Sequence, residues 1–328
     1  MIQPGRRVPS PVLSADGGRL RIGAEEAAEG VAIMQDKPKF DRTIEDLGNV
    51  LGLEHVNVRV PDQHLATLFY VVGLGLTRDP YLMTGVTNMW INVGRSQFHL
   101  PTGEPQVVRG HTGLVIPDRT SLIARLESVR EPLKATKFSF KATDKYVEAT
   151  CPWGNRIRVF EPGPQFGRRM QLGMPYVEFE VPRGTAEGIV RFYKEVMSTP
   201  STLGEDAGSR IARVAVGPDQ CLIFREGDVQ HPTFDGHHIA IYISDFSGPY
   251  EKLLAKGLVS REDDQHQYRF EDIVDPASGK VLFKIEHEVR SLHHPLYARP
   301  FVNRNPAQSN QRFAPGWEQQ SWAAPLTM

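Results

Sequence analysis

The sequence predicts an α+β fold made from one unit repeated four times: a strand, a polar turn, a helix, then further strands. Three observations carry this. Short stretches alternate apolar and polar residues with a period of two, and each leads into an apolar pattern at helical spacing. The plan recurs along the chain, and internal repetition is the mark of a modular architecture. The second and fourth units each close on a strand pair around a turn, "CPWGNRIRVFEP" at 151–162 and "DPASGKVLFKIEHE" at 275–288.

The first unit is "HVNVRVPDQHLATLFYVVGLGL". Val56, Val58 and Val60 face one way, and His55, Asn57 and Arg59 the other. Asp62 caps a helix with Leu65, Leu68, Phe69 and Val72 on its apolar face, and Gly73 ends it. The later units begin at His111, Tyr176 and His238, and the third repeats the Phe-Tyr pair of the first as Phe192-Tyr193. The units group as two pairs, 50–165 and 172–290, about the linker "EPGPQFGRRMQLG". Residues 1–45 have the Pro, Gly and charge of a mobile extension, and 291–328 read as an extended tail over the body.

Bulk properties narrow the function. The chain has 328 residues, 40% hydrophobic and 23% charged, with a formal net charge of −1. That balance argues against a nucleic-acid partner. The apolar runs are too short to span a bilayer, and two cysteines point to a reducing, cytoplasmic setting. A small-molecule partner is expected, and a homo-oligomer is compatible.

Alternation also assigns faces elsewhere. Gln97 and His99 share the polar face of "SQFHLP", and Arg156 and Arg158 that of "NRIRVF". Tyr176, Glu178 and Glu180 lie opposite Val177, Phe179 and Val181. His238 and Tyr242 lie opposite Ile239, Ile241 and Ile243, and Lys284 and Glu286 opposite Phe283 and Ile285. Three histidines therefore open first strands in one register: His55, His111 and His238.

The β-α-β-β-β unit, the "FYxxxLGL"-type helix end and the "xPxGNxI" hairpin resemble the vicinal oxygen chelate superfamily, which includes glyoxalase I and the type I extradiol dioxygenases. The resemblance spans about 240 residues and rests on the fourfold order of short motifs. It implies modules paired into two open, cupped mixed sheets with helices outside and a divalent metal in a cup. Fe(II) is the first expectation, with Mn(II) or Zn(II) next. The implied ligands are His55, His99 and His111, with Arg158 where a fourth, usually Glu, would stand. The alternative set is His238, Glu286 and Glu178. His266, His238 and Tyr242 are the acid–base candidates. Asn57, Arg59, Arg158 and Tyr176 are the substrate candidates, suited to an aromatic or anionic molecule. The four-module length implies an extradiol-like dioxygenase. A glyoxalase- or epimerase-like enzyme and a metal-free binding protein are the alternatives.

Overall fold

The structure is a computed structural model that describes residues 41–82, 85–167 and 170–304. Apart from residues 41–45, the expected N-terminal extension lies outside the described residues, as does the tail beyond 304.

The first module is β1 (Val50–Asn57), α1 (Gln63–Ala66), β2 (Thr77–Arg78), β3 (Asn88–Val93) and β4 (Ser96–Pro101). The second is β5 (Gly110–Val115), α2 (Arg119–Ser128), α3 (Arg130–Leu133), β6 (Ser139–Ala142), β7 (Val147–Thr150) and β8 (Arg156–Phe160). The third is β9 (Gly173–Pro182), α4 (Ala186–Glu195), β10 (Ser201–Asp206), β11 (Ser209–Ala215) and β12 (Cys221–Gly227). The fourth is β13 (His238–Ile243), α5 (Ser247–Ala255), β14 (Val259–Asp264), β15 (Gln267–Val274) and β16 (Val281–Ser291).

Asp62 caps α1 by accepting from His64 N and Leu65 N at 2.7 and 3.0 Å. The helix then loosens into a π-helical stretch, Thr67–Gly73, in which Leu74 N reaches Phe69 O at 2.9 Å. That change of period buries Tyr70 beside Phe69 and turns Val72 out to 41% exposure, against the α-helical spacing.

Two eight-stranded mixed sheets result, ordered β14-β15-β16-β13-β1-β4-β3-β2 and β10-β11-β12-β9-β5-β8-β7-β6. Consecutive modules 1 and 2 do not share a sheet, nor do 3 and 4. The first module joins the fourth through antiparallel β1 and β13, and the second joins the third through β5 and β9. The linker at 161–173 thus connects two halves of one sheet. The expected pairs 50–165 and 172–290 are corrected here. Alternation shows which face of a strand is buried, but an open edge strand can be completed by any module with the same face pattern.

The apolar faces of the two sheets turn toward each other and share one core. Val56 and Val58 of the first sheet and Val177 and Phe179 of the second are buried in it. Phe283 on β16 meets Phe179 and Phe224 across the divide, with ring centroids 5.6 and 6.0 Å apart. Helix α4 packs on β10 and β11 of its own sheet and on β15 of the other. Each sheet therefore presents its polar, concave face away from the shared core. The turn between β3 and β4 is anchored at this junction. Gly94 has φ 67°, and a Cβ there would lie 2.0 Å from Leu172 O, so only glycine fits.

After β16 the chain crosses the first sheet as a strap over residues 292–304. Tyr297 packs on the Tyr242 ring at 5.0 Å, and Asn92 Nδ2 donates to Val302 O at 3.0 Å. Asn303 bonds Gly94 in both directions, at 3.0 and 2.9 Å.

Candidate metal centre

The centre begins with a bulge in β1. Leu53 pairs with Ile241 but His55 pairs with Ala240, so β1 carries one extra residue there. A bulge re-aims side chains that alternation would separate. Glu54 and His55 both end on the concave face. Glu54 accepts the Tyr242 hydroxyl at 2.9 Å, and His55 Nδ1 lies 3.0 Å from Glu54 Oε2.

Sheet register completes the set. Asn57 on β1 is flanked by His238 of β13 on one side and His99 of β4 on the other. His55, His99 and His238 each offer a nitrogen within 4.8 Å of the other two, the cluster of three or more such donors found among the described residues. The module repeat reveals a fourth donor. His55 pairs with Gln97, and His99 lies two residues further along β4. His238 pairs with Glu286, and Glu288 lies two residues further along β16. Glu288 thus holds in the fourth module the place of His99 in the first. Its Oε2 is 3.3 Å from His238 Nε2. Sequence reasoning follows the faces of the last strand only to Glu286 and so misses it, whereas β16 runs on to Ser291. Its signal was present: Glu288 shares the face of Lys284 and Glu286.

The histidines are oriented by partners behind them. Glu54 holds His55 Nδ1, Glu286 Oε1 lies 3.4 Å from His238 Nδ1, and His99 Nε2 meets Asn88 Oδ1 at 2.8 Å. His99 also stacks on Trp90 with ring centroids 3.8 Å apart. A carboxylate on one imidazole nitrogen fixes the tautomer and leaves the other as a donor. His55 Nε2 and His238 Nε2 are both buried and make no hydrogen bond.

Electrostatics suit a cation. Burial, reinforced by His55 and His238, pushes His99 down to about 2, and burial pushes His238 down to about 4. Both imidazoles are therefore neutral at pH 7, the ligand form. Burial opposes ionisation of Glu288, but His238, His55 and Arg290 hold it well below the ordinary carboxylate range. His238 Nε2 and the Glu288 carboxylate face each other at 3.3 Å, a gap that either a proton on the nitrogen or a metal would bridge. Arg269 grips both Glu286 and Glu288, and Arg290 ties Glu288 to Glu54. These residues fit a divalent metal.

The second sheet holds the same four positions with different residues. His111 pairs with Arg156, putting Arg158 two residues on, and Tyr176 pairs with Cys221, putting Ile223 two residues on. His111, Arg158, Tyr176 and Ile223 stand where the first sheet has His55, His99, His238 and Glu288. His111 is thus not with His55 and His99 but meets Tyr176 Oη at 3.2 Å. Arg158 pairs with Glu148 at 2.9 Å, and Glu178 with Arg225 at 2.8 Å. Both expected ligand sets are corrected. Each mixed residues of two sheets, because equivalent strands carry equivalent faces whichever sheet they join.

Burial, with Arg158, Arg156 and Arg225 nearby, pushes His111 down to about 3. Unfolded histidine titrates near 6.5. Below that pH the unfolded chain binds the extra proton, so His111 should cost stability progressively between pH 6.5 and 3, by up to about 1.4 kcal/mol per pH unit. Denaturant midpoints of His111→Gln should fall less steeply with acid than those of the parent; parallel curves would count against this.

The remaining expected residues are dispersed. Burial pushes the Tyr242 hydroxyl well above its ordinary range, so it stays protonated and positions Glu54. His266 sits at the β14–β15 turn, where its N–H bonds Asp264 Oδ1 at 2.7 Å and its carbonyl accepts Ser291 N at 2.9 Å; no contact with the three histidines is made among the described residues. Asn57 lies in the first cup, buried. Arg59 is exposed and bonds Asp235 O at 3.3 Å. His287 is buried on the core side of β16, where its Nε2 meets Tyr193 Oη at 2.6 Å.

No protein-family model and no curated protein matches the chain. Solved structures do. Glyoxalase I from Zea mays is similar at 16% identity and a TM-score of 0.52, over 73% of this chain and 92% of that one. A putative dioxygenase from Bacillus subtilis is similar at 14% identity and a TM-score of 0.48, over 74% and 86%. No described helix is long and apolar enough to cross a membrane. With four modules in two mixed sheets, the chain shares its fold with glyoxalase I from Zea mays.

Proposed function

We propose that the chain is a metal-dependent enzyme of the vicinal-oxygen-chelate type, working in the cup of its first sheet. The observation that carries this is the convergence of His55, His99 and His238 within 4.8 Å, with Glu288 beside them. His55, His99, His238 and Glu288 would hold a divalent metal, and the chemistry it would supply is Lewis-acid polarisation of two adjacent oxygens of a substrate. The count of four donors favours glyoxalase- or epimerase-like proton transfer. Glu286 is the proton-handling candidate: burial raises its pKa, Arg269 orients it, and it lies 3.4 Å from His238. Trp90 and Tyr242 supply aromatic wall, and Asn57 lines the cup between two ligands.

The extradiol-like reading is kept alive by one feature. His55, His238 and Glu288 alone make the two-histidine, one-carboxylate set of non-haem Fe(II) oxygenases, and His99 already has Asn88 as a partner. Metal analysis on protein purified without a histidine tag, then O₂ uptake with a catechol panel under Fe(II), separates these readings. The four-donor reading expects about one equivalent of metal, loss of metal in His99→Ala, and no O₂ uptake. O₂ uptake with metal retained in His99→Ala assigns the dioxygenase. Less than about a tenth of an equivalent after incubation with Fe, Mn or Zn leaves a metal-free binding protein.

A further inference from the structure

The strap brings one arginine, Arg299, against the polar floor of the first cup. Its Nη1 donates to Asp79 Oδ2 at 2.9 Å, and Asp79 is fully buried. The same Asp79 oxygen receives Gln97 Nε2 at 3.3 Å. Gln97 is the β4 neighbour of His55 and precedes His99 by two residues. Arg299 thus stands two hydrogen bonds away from the strand position beside a candidate ligand.

The opposite edge of this guanidinium, Nε and Nη2, is buried and makes no hydrogen bond among the described residues. That edge is the one the chain uses for carboxylates elsewhere. Arg130 on Glu127, Arg183 on Asp228, Arg191 on Asp275 and Arg225 on Glu178 all place Nε and Nη2 on the two carboxylate oxygens. A planar fork of two parallel N–H groups matches a carboxylate, and leaving both unmade in a buried site is unfavourable. Phe301 covers the guanidinium face at 4.7 Å, so a new partner must come to the edge. Ala298, just before it, has φ 55°, a left-handed conformation unusual for alanine. Arg125 has the same edge without hydrogen bonds among the described residues, but it lies on α2, beside Arg304 and away from the concave faces.

We infer that Arg299 anchors a carboxylate carried by the substrate of the first cup, so that the substrate class is a small organic acid with two adjacent oxygens for the metal. This rests on the metal-cup reading above. The carboxylate accepts from Nε–H and Nη2–H while Nη1 stays on Asp79, and the strap becomes part of the binding site.

Two titrations of the full chain test it. In the metal-free protein, succinate should bind at least about tenfold more tightly than its neutral isostere succinamide. Arg299→Gln should erase that preference, and Arg299→Lys, which keeps the charge without the fork, should restore only part of it. In the Mn(II)-loaded protein, succinic monohydroxamate should bind at least about tenfold more tightly than acetohydroxamate, the same chelator without the carboxylate. In Arg299→Gln the two should bind alike, with acetohydroxamate unchanged. No succinate preference in the parent, a preference retained by Arg299→Gln or wholly restored by Arg299→Lys, tighter binding of inorganic phosphate than of succinate, or no gain from the carboxylated hydroxamate would each overturn the assignment. If the chain takes up no Mn(II), the metal reading fails by itself, and the succinate arm alone decides Arg299. If Arg299→Gln does not fold, Arg299→Lys supplies the comparison.

Discussion

Replacing His238 with alanine should strip the chain of bound divalent metal, whereas replacing His111 should leave it in place. Both histidines open a first strand in the same register, and both are buried. They differ in what surrounds them. His238 faces His55, His99 and Glu288, with its Nε2 free. His111 faces a tyrosine hydroxyl and three arginines, whose charge repels a cation. Changes even to the outer shell of a metal site cost about 10–100-fold in affinity, so losing a direct ligand should cost at least that. Metal content after dialysis, read by elemental analysis for His55→Ala, His238→Ala and His111→Ala, checks it. Equal retention in all three variants would remove the first cup from consideration.

Arg290→Met should be among the most destabilising single changes in the chain when measured with chelator present. Arg290 is buried and bonds Glu54 on β1 and Glu288 on β16, so it ties the first module to the fourth across the sheet. Its removal takes a cationic partner from two buried carboxylates, leaving Glu288 with Arg269 and Glu54 with Tyr242 and His55. Breaking a buried ion pair from one side costs about 3–5 kcal/mol. The sign depends on what is left behind, so the double variant Arg290→Met/Glu54→Gln should recover part of the loss. Denaturant titrations of the parent, both single variants and the double variant measure this coupling. A single-variant loss below about 1 kcal/mol, the range of exposed pairs, would show that water reaches these groups.

Much of the centre was legible before any coordinates. The valines at 56, 58 and 60 mark the buried face of β1, and that pattern correctly turned His55 and Asn57 to the other side. The same reasoning put His99 on the open face of β4 and His238 on that of β13. It failed at Glu54, because a bulge is one extra residue in a pairing, and pairing is not written in the strand itself. It failed at Glu288 because the faces of the last strand were followed only as far as Glu286, although the same alternation continues to Glu288.

What the sequence by itself determined was the module and the face of each strand, since a half-buried strand must alternate and the four copies repeat the pattern. Which modules share a sheet was decided only by tertiary structure. His55, His111 and His238 are equivalent by pattern, and hydrogen bonding between β1 and β13 rather than between β1 and β5 separates the one that joins the cluster from the one that does not. Strand edges pair through backbone groups common to every residue, so the choice of partner lies in the packing of the whole core, and with it the site.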